Sequence, residues 1–232
     1  MTFTGLFRAW ATVLVAMLAA ILLTTAAFAT GAGAQEQPPC SGKVVLDPGH
    51  GGTDSGAVNT KYRLTEKEQT LDVANKLKAL LEEDGCTVYM TRTDDRYLTN
   101  TQRANKANSF KAKNPGDYVL VSIHMNGSTN ASTDYTTTLF GKWRKDKELA
   151  NTIFGSLSTL PAANGTGTIG KRTPYSFASG VLLKSNMPAT MAETVFITSD
   201  REGQLLSNGT GTRQQQIAQA LRVGIEDYLA TH

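Results

Sequence analysis

The sequence predicts a single α/β domain built on a twisted, mainly parallel sheet of about six strands with helices on both faces. In the first half of the chain, apolar strand-like runs alternate with segments of helical periodicity, as they do in successive βαβ units. The runs "KVVLD" and "YVLVSI" are nearly all apolar, which is typical of strands covered on both faces. No repeat or long linker interrupts the remainder, so a second domain is not expected.

The first half is predicted to hold three strands and two helices. The first helix shows apolar residues at the spacing of one helical face, including Leu71, Ala74 and Leu77, and it ends at Gly85. In chain order these elements are a strand at 43–47, a helix at 66–84, a strand at 86–92, a helix at 99–113 and a strand at 117–126.

The second half has weaker signals and shorter predicted elements. Its clearest element is the last helix, in which Ile217, Leu221 and Ile225 supply apolar positions. The predicted elements are a strand at 135–143, a helix at 145–160, a loop at 164–172, strands at 180–184 and 189–197, and a helix at 212–229.

The first 34 residues have the pattern of a secretory signal peptide. Arg8 precedes a long apolar run, and small residues follow it in "AAFATGAGAQ". Cleavage fits after Ala29 or after Ala34, and the second is preferred because the polar "QEQPP" comes next. An uncleaved membrane anchor is the alternative, since the apolar run is long enough to span a bilayer. The expected organisation is a signal peptide at 1–34, a short leader at 35–42 and a folded domain at 43–232.

The charge of the chain points to no charged partner. Its 23 basic and 20 acidic side chains give a formal net charge of +3 and are spread along the sequence without a run of Lys or Arg. Nucleic acid binding is therefore not expected. No association with a membrane is expected once the signal peptide has been removed.

The two cysteines are predicted to form a disulfide. Cys40 lies just before the first strand and Cys86 just before the second, so both are expected at the same edge of a parallel sheet. An oxidising compartment outside the cytoplasm permits the bond. Two free buried thiols are the alternative.

Two of the three histidines follow strands of the predicted sheet. His50 comes after the first strand, in "DPGHGG", and His124 ends the third, so both are expected at the edge where ligands gather in open α/β sheets. Two imidazoles and one carboxylate form the usual ligand set of a catalytic zinc. Glu66, in the first turn of the helix that starts at this edge, is the candidate carboxylate. Glu68 competes with it but points to a different side of the helix. Either histidine alone could be a structural residue, and their shared edge favours a metal site.

A further acidic side chain, Glu193, lies inside the apolar run "ATMAETVFI". An acidic residue in a buried strand is costly unless it is paired or used in chemistry. Hydrolysis of an amide requires a group that carries a proton to the leaving nitrogen, and Glu193 is the candidate. The alternative is an edge-strand residue that faces water.

The chain resembles the zinc-dependent N-acetylmuramoyl-L-alanine amidases of the type 3 family, which are cell-wall hydrolases of bacteria and their phages. The resemblance extends from Lys43 to the end of the chain, and its motifs stand in the family's order. These motifs are "VVLDPGHGGTDSGAV", "LTEKEQTLDVANKL", "TRTDD", "QRANKAN", "VLVSIHMN" and "LLKSNMPATMAETVFITSDRE".

The resemblance implies a function for the four candidate residues. His50, Glu66 and His124 would bind one Zn²⁺ per chain, and Glu193 would be the catalytic residue. The implied reaction is hydrolysis of the amide between N-acetylmuramic acid and the L-alanine of the peptide stem in peptidoglycan or muropeptides. The protein would be a secreted monomer that acts in the cell wall or periplasm.

Several further positions are interpreted through the same resemblance. Asp47 either orients a ligating imidazole or is a turn residue, and Arg103 is expected to be structural. Met125 replaces the small residue that is usual after the second histidine, so it is expected to narrow the substrate cleft. Residues 127–135 are too few for the blocking helix that some relatives insert there, so autoinhibition by that helix is not expected.

Three other functions compete with amide hydrolysis at the peptide stem. A zinc peptidase of another specificity could use the same ligands. A wall-binding module without catalysis would lack one of the four candidate residues, and all four are present. A nucleotide-binding loop is disfavoured because "GHGGTDSG" has neither the Gly-Lys-Ser/Thr ending nor the Gly-x-Gly-x-x-Gly spacing.

Overall fold

The computed structural model describes Cys40, residues 42–141 and residues 145–232. The predicted signal peptide, at 1–34, and all of the leader except Cys40 and Gly42 lie outside the described residues. Within the described ranges, no helix combines the length and the apolar character needed to cross a membrane.

Seven strands of the described residues form one sheet, and two more form a short hairpin. The strands are β1 (Lys43–Pro48), β2 (Val58–Asn59), β3 (Leu64–Thr65), β4 (Thr87–Met90), β5 (Tyr118–Asn126), β6 (Tyr135–Phe140), β7 (Gly170–Lys171), β8 (Tyr175–Ser176) and β9 (Ala189–Phe196). The order in the sheet is β4-β1-β5-β9-β6-β7, and β8 also pairs with β6. All its pairings are parallel except that of β6 with β9. The predicted α/β fold with a mainly parallel sheet is confirmed, with seven strands where about six were expected.

Six helices of the described residues cover the two faces of this sheet. They are α1 (Glu66–Glu83), α2 (Asn100–Lys113), α3 (Lys145–Leu157), α4 (Gly180–Lys184), α5 (Asp200–Leu206) and α6 (Thr212–Leu229). Val44 and Val121 belong to a core shared with α1, α3 and α6, whereas Val45 and Leu120 belong to a second core shared with α2 and α4. Because successive residues of a strand point to opposite faces, both faces of the central strands are buried. Helices on both faces are thus confirmed.

Several elements differ from the sequence prediction. Residues 180–184 form α4 rather than a strand, because this short apolar run buries only one side: Val181 and Leu182 are buried, while Leu183 is 46% exposed. Runs of this length do not distinguish strand from helix by periodicity. The predicted helix at 145–160 ends at Leu157, and the strand predicted at 135–143 ends at Phe140, with 142–143 outside the described residues. The predicted loop at 164–172 contains β7. The elements β2, β3, β8 and α5 were not predicted.

The segment between β5 and β6 contains no helix. Its residues 127–134 are turns and irregular backbone, as expected from its length. The edge of the sheet beside His124 is therefore not covered by an inserted helix of this segment.

The predicted disulfide between Cys40 and Cys86 is present. The two Cα atoms are 4.8 Å apart, and the backbone N–H of Cys40 also donates a hydrogen bond to the carbonyl oxygen of Asp84. The bond attaches the chain before β1 to the end of α1, and it closes a loop between residues 46 apart in sequence.

We expect replacement of both Cys40 and Cys86 by serine to destabilise the domain. Loss of the cross-link frees the unfolded chain, and for a loop of this length the entropic model gives about 4 kcal/mol. Denaturant titration of the double variant and of the oxidised and reduced wild-type protein measures the loss. Equal free energies of unfolding for the oxidised wild-type protein and the double variant would show that the bond contributes nothing.

Candidate active site

The loop after β1 places His50 at the carboxyl edge of the sheet. His50 has φ 58°, a left-handed conformation that is uncommon for a residue with a side chain, and Gly51 and Gly52 also have positive φ. The absence of a side chain at Gly49 is required, because a Cβ there would lie 2.4 Å from the ring of His124. The proline and glycines therefore end the strand and leave room for two imidazoles side by side.

Three predicted ligands converge at this edge. His50 Nε2 lies 3.1 Å from Glu66 Oε1, and His124 Nδ1 lies 3.0 Å from the same oxygen. One ligand atom from each residue lies within 4.8 Å of those of the other two, and the imidazole rings pack edge to face. The structure brings together His50, Glu66 and His124 as predicted, while the competitor Glu68 is exposed and outside the cluster.

Glu66 is a buried carboxylate held by backbone donors. Glu66 is the first residue of α1 and is only 3% exposed. The N–H of Met125 donates to Oε1 at 3.0 Å and the N–H of Ala57 donates to Oε2 at 2.9 Å. The Met125 side chain is 2% exposed and packs in the core, so the expectation that it narrows the cleft is wrong. Residue 125 follows His124 in a strand, and its side chain consequently points to the opposite face.

The three groups shift one another's pKa values. Burial alone would raise the pKa of Glu66, but the hydrogen bonds and charges of His124 and His50 hold it far below its ordinary value. Burial alone would lower the pKa of His50 and of His124, and the Glu66 carboxylate reverses this and raises both. The site thus keeps an ionised carboxylate between two imidazoles.

Asp54 orients His50, a role that sequence reasoning did not assign. Its Oδ2 lies 2.9 Å from His50 Nδ1, and since a carboxylate can only accept, this nitrogen carries a proton. The other ring nitrogen, Nε2, is thereby directed at the cluster. A carboxylate partner of this kind is typical of metal-binding histidines. Asp54 lies four residues after His50, across the bridge between Gly51 and Asp54, and this spacing is the signal that could have identified it.

Asp47 does not contact an imidazole. Its carboxylate accepts hydrogen bonds from Ser122 on β5, from Thr91 and from Arg103, and it is fully buried. Both interpretations of Asp47 are wrong, because it contacts Ser122, Thr91 and Arg103 rather than an imidazole and lies within β1 rather than in a turn. The side chain of Asp47 instead joins β1, β5 and α2 directly beneath the loop that carries His50.

Two buried arginines hold the carbonyl groups of that loop. Arg103 donates to the carbonyl oxygens of Pro48 and His50, each at 2.6 Å, as well as to Asp47. Arg92 donates to the carbonyl oxygens of Pro48 and Gly49. The expected structural role of Arg103 is confirmed. Its guanidinium supports the backbone of His50 in its left-handed conformation. Arg92 was not singled out from the sequence.

Glu193 lies beside the cluster without belonging to it. It is on β9 directly opposite His124 of β5 and is half-buried. Burial raises its pKa, and the charge of His124 only partly offsets this effect. Immediately afterwards β9 contains a bulge, since the four residues from Glu193 to Phe196 match only three from His124 to Asn126. Bulges are frequent beside active sites, where they change the direction of side chains.

The donor set fits a zinc ion. Two imidazole nitrogens and one carboxylate oxygen are the ligands of many catalytic zinc sites, which leave a fourth position for water or substrate. A partly buried cluster of this composition at the carboxyl edge of a parallel sheet, with a further carboxylate next to it, defines an α/β protein with a candidate metal site.

Comparison with known proteins gives the family. Residues 44–227 match the type 3 amidase family, described as N-acetylmuramoyl-L-alanine amidase. The amidase AmiC of Escherichia coli is 31% identical over 81% of this chain and 52% of its own length. The probable cell wall amidase LytH of Staphylococcus aureus is 31% identical over 84% of this chain and 62% of its own. The chain belongs to the N-acetylmuramoyl-L-alanine amidase family.

A solved structure agrees with this assignment. The crystal structure of an N-acetylmuramoyl-L-alanine amidase from Clostridium difficile 630 has a TM-score of 0.72 and 32% identity, and the match covers 83% of this chain and 98% of that one. By contrast, the chain spans only about half to three fifths of the length of the two curated relatives.

Proposed function

We propose that this protein is a zinc-dependent hydrolase that cleaves the amide between the lactyl group of N-acetylmuramic acid and the L-alanine of the peptide stem. The single observation that carries the proposal is the convergence of His50 Nε2, Glu66 Oε1 and His124 Nδ1 beside Glu193, in a chain of this family. Peptidoglycan or its muropeptide fragments are the substrate class.

His50, Glu66 and His124 would hold the ion. When bound, Zn²⁺ supplies a Lewis acid for the scissile carbonyl and lowers the pKa of a water molecule so that hydroxide is available near neutral pH. Asp54 fixes the tautomer of His50, and the N–H groups of Ala57 and Met125 fix the Glu66 carboxylate. These contacts would hold the side chains of His50 and Glu66 in position before the ion binds.

Glu193 would move the proton. It accepts the proton of the attacking water and passes it to the nitrogen of the departing L-alanine, so a single carboxyl group serves first as base and then as acid. Burial raises its pKa, which makes the carboxylate a stronger base toward the attacking water. Its position opposite His124 keeps it next to the ligands, and the absence of Glu193 from the ligand cluster of the described residues leaves it available for this role.

We further propose that the chain acts outside the cytoplasm. The signal-like segment at 1–34 supports export, and the disulfide is consistent with an oxidising compartment. Cell wall or periplasm follows from the substrate class. A monomer suffices for this chemistry, because all four proposed groups come from one chain.

Digestion of purified peptidoglycan tests the function. We expect the purified protein with Zn²⁺ to release intact stem peptides that begin with L-alanine, identified by mass spectrometry, and we expect EDTA to abolish this release and added Zn²⁺ to restore it. Cleavage within the stem would instead indicate a peptidase. Binding to the wall without any release, with zinc present, would indicate a module without catalysis.

A further inference from the structure

Arg172 follows the edge strand β7, and its guanidinium rests on two tyrosines. Its Nη1 donates a hydrogen bond to the hydroxyl of Tyr135 at 3.2 Å, and its central carbon lies 4.9 Å from the centroid of the Tyr175 ring. In the part of the chain that the structure describes, no carboxylate forms an ion pair with Arg172. These two contacts fix the direction of an exposed positive charge that has no acidic partner there.

The sheet register places this guanidinium on the face of Glu193. Thr137 of β6 lies directly opposite Glu193, and Tyr135 is two residues from Thr137, so its side chain shares that face. Tyr175 lies opposite Leu139, which is also two residues from Thr137. Both tyrosines that support Arg172 therefore stand on the same side of the sheet as Glu193.

The separation between Arg172 and Glu193 is set by the strands between them. The backbone N–H of Arg172 donates to the carbonyl oxygen of Thr136 on β6, and β6 pairs with β9 on its other side. Two strand spacings put the backbones of Arg172 and Glu193 about 10 Å apart. Burial raises the pKa of Tyr175, the charge of Arg172 partly offsets this effect and the charge of Glu193 adds to it, so Tyr175 is within electrostatic reach of both charges.

We propose that Arg172, held by Tyr135 and Tyr175, binds the free α-carboxylate of the second residue of the peptide stem. This inference rests on the proposed function. The residue after L-alanine in the stem is a glutamate linked through its side chain, so its α-carboxyl group is either free or amidated. Two extended residues span about 7 Å, which carries that group from the scissile bond toward the guanidinium. A planar fork of N–H donors is suited to a carboxylate.

Two muropeptides that differ in one group test the proposal. They are N-acetylmuramoyl tripeptides in which the α-carboxyl group of the second residue is either free or amidated. We expect kcat/KM of the wild-type protein to be about tenfold higher for the free carboxylate, as for a charge-assisted hydrogen bond at a partly exposed site. In Arg172→Gln the ratio should fall to about one, and Arg172→Lys should retain part of it because the charge remains without the fork.

Lys171→Gln is the matched control. It removes the same charge one residue away, on a side chain that points to the opposite face, and should keep the wild-type ratio. An equal kcat/KM of the wild-type protein for the two tripeptides, or a ratio that survives in Arg172→Gln, would overturn the proposal. If neither tripeptide is hydrolysed, the proposed function fails. The affinities of the Glu193→Gln variant for the two tripeptides then test Arg172 separately: tighter binding of the free carboxylate supports the proposal, and equal binding overturns it.

Discussion

Replacement of Glu193 by glutamine is expected to reduce kcat by about two to four orders of magnitude, the usual contribution of a general base and acid. The amide keeps the shape of the side chain but cannot accept a proton from water. Zinc content should not change, because Glu193 is not one of the three converging ligands. Turnover of muropeptides and metal analysis of the same preparation measure the two effects.

The stability of Glu193→Gln should be equal to or slightly above that of the wild-type protein. Burial raises the pKa of Glu193, which means that its ionised form is disfavoured in the folded state at neutral pH. A neutral amide avoids that cost, so loss of activity cannot be attributed to unfolding. Glu68→Gln is the matched control, since it makes the same change on an exposed residue of α1. Full activity of Glu193→Gln would refute the catalytic assignment.

The fold was predictable from sequence where the elements are long. The runs at β1 and β5 are apolar over most of their length, and the periodicity of α1 and α6 extends through 18 residues each, so packing and pattern agree. The errors fall on short elements. Helix α4 has five residues and β7 and β8 have two each, and at that length tertiary contacts decide the backbone rather than local preference.

The convergence of His50, Glu66 and His124 was predictable because its signals are local. Each candidate ligand follows a strand, lies near the end of one or begins a helix, and parallel strands bring those positions to one edge. The supporting groups were not predictable in the same way. Arg92 and Arg103 reach the loop at His50 from more than forty residues further along the chain, and their partners are backbone carbonyls that carry no sequence signal. Neither interpretation of Asp47 identified its partners, because Thr91, Arg103 and Ser122 are all more than forty residues away along the chain.

Arg172 could not be singled out from the sequence. It lies in a segment that the sequence indicated only as a loop, and nothing local distinguishes it from other surface arginines. The register of β6 against β9 and the two tyrosines that contact Arg172 are what place its guanidinium on the face of Glu193. Substrate selectivity in this protein would thus depend on residues at an edge of the sheet, whereas the proposed metal ligands are positioned by its central strands.

Replacement of Arg103 by methionine is expected to have two large effects. Asp47 is fully buried and would lose its cationic partner, and breaking a buried pair in this way costs about 3–5 kcal/mol of the free energy of unfolding. The carbonyl oxygen of His50 would also lose its donor, so the left-handed conformation that directs the imidazole would no longer be held. We expect affinity for Zn²⁺ to fall by about 10- to 100-fold, as for other groups that orient metal ligands.

A second buried arginine separates these effects. Arg213 is paired with the buried carboxylate of Glu202, away from the ligand cluster. Arg213→Met should lower stability by a similar amount and leave Zn²⁺ affinity unchanged, whereas Arg103→Met should lower both, and Arg103→Lys should recover part of the affinity. Competition with a chelating indicator, at a temperature where all variants are folded, measures the zinc affinity. If Arg103→Met and Arg213→Met bind Zn²⁺ equally well, Arg103 contributes only to the stability of the fold. The conformation of His50 must then be maintained by Arg92 and the glycines around it.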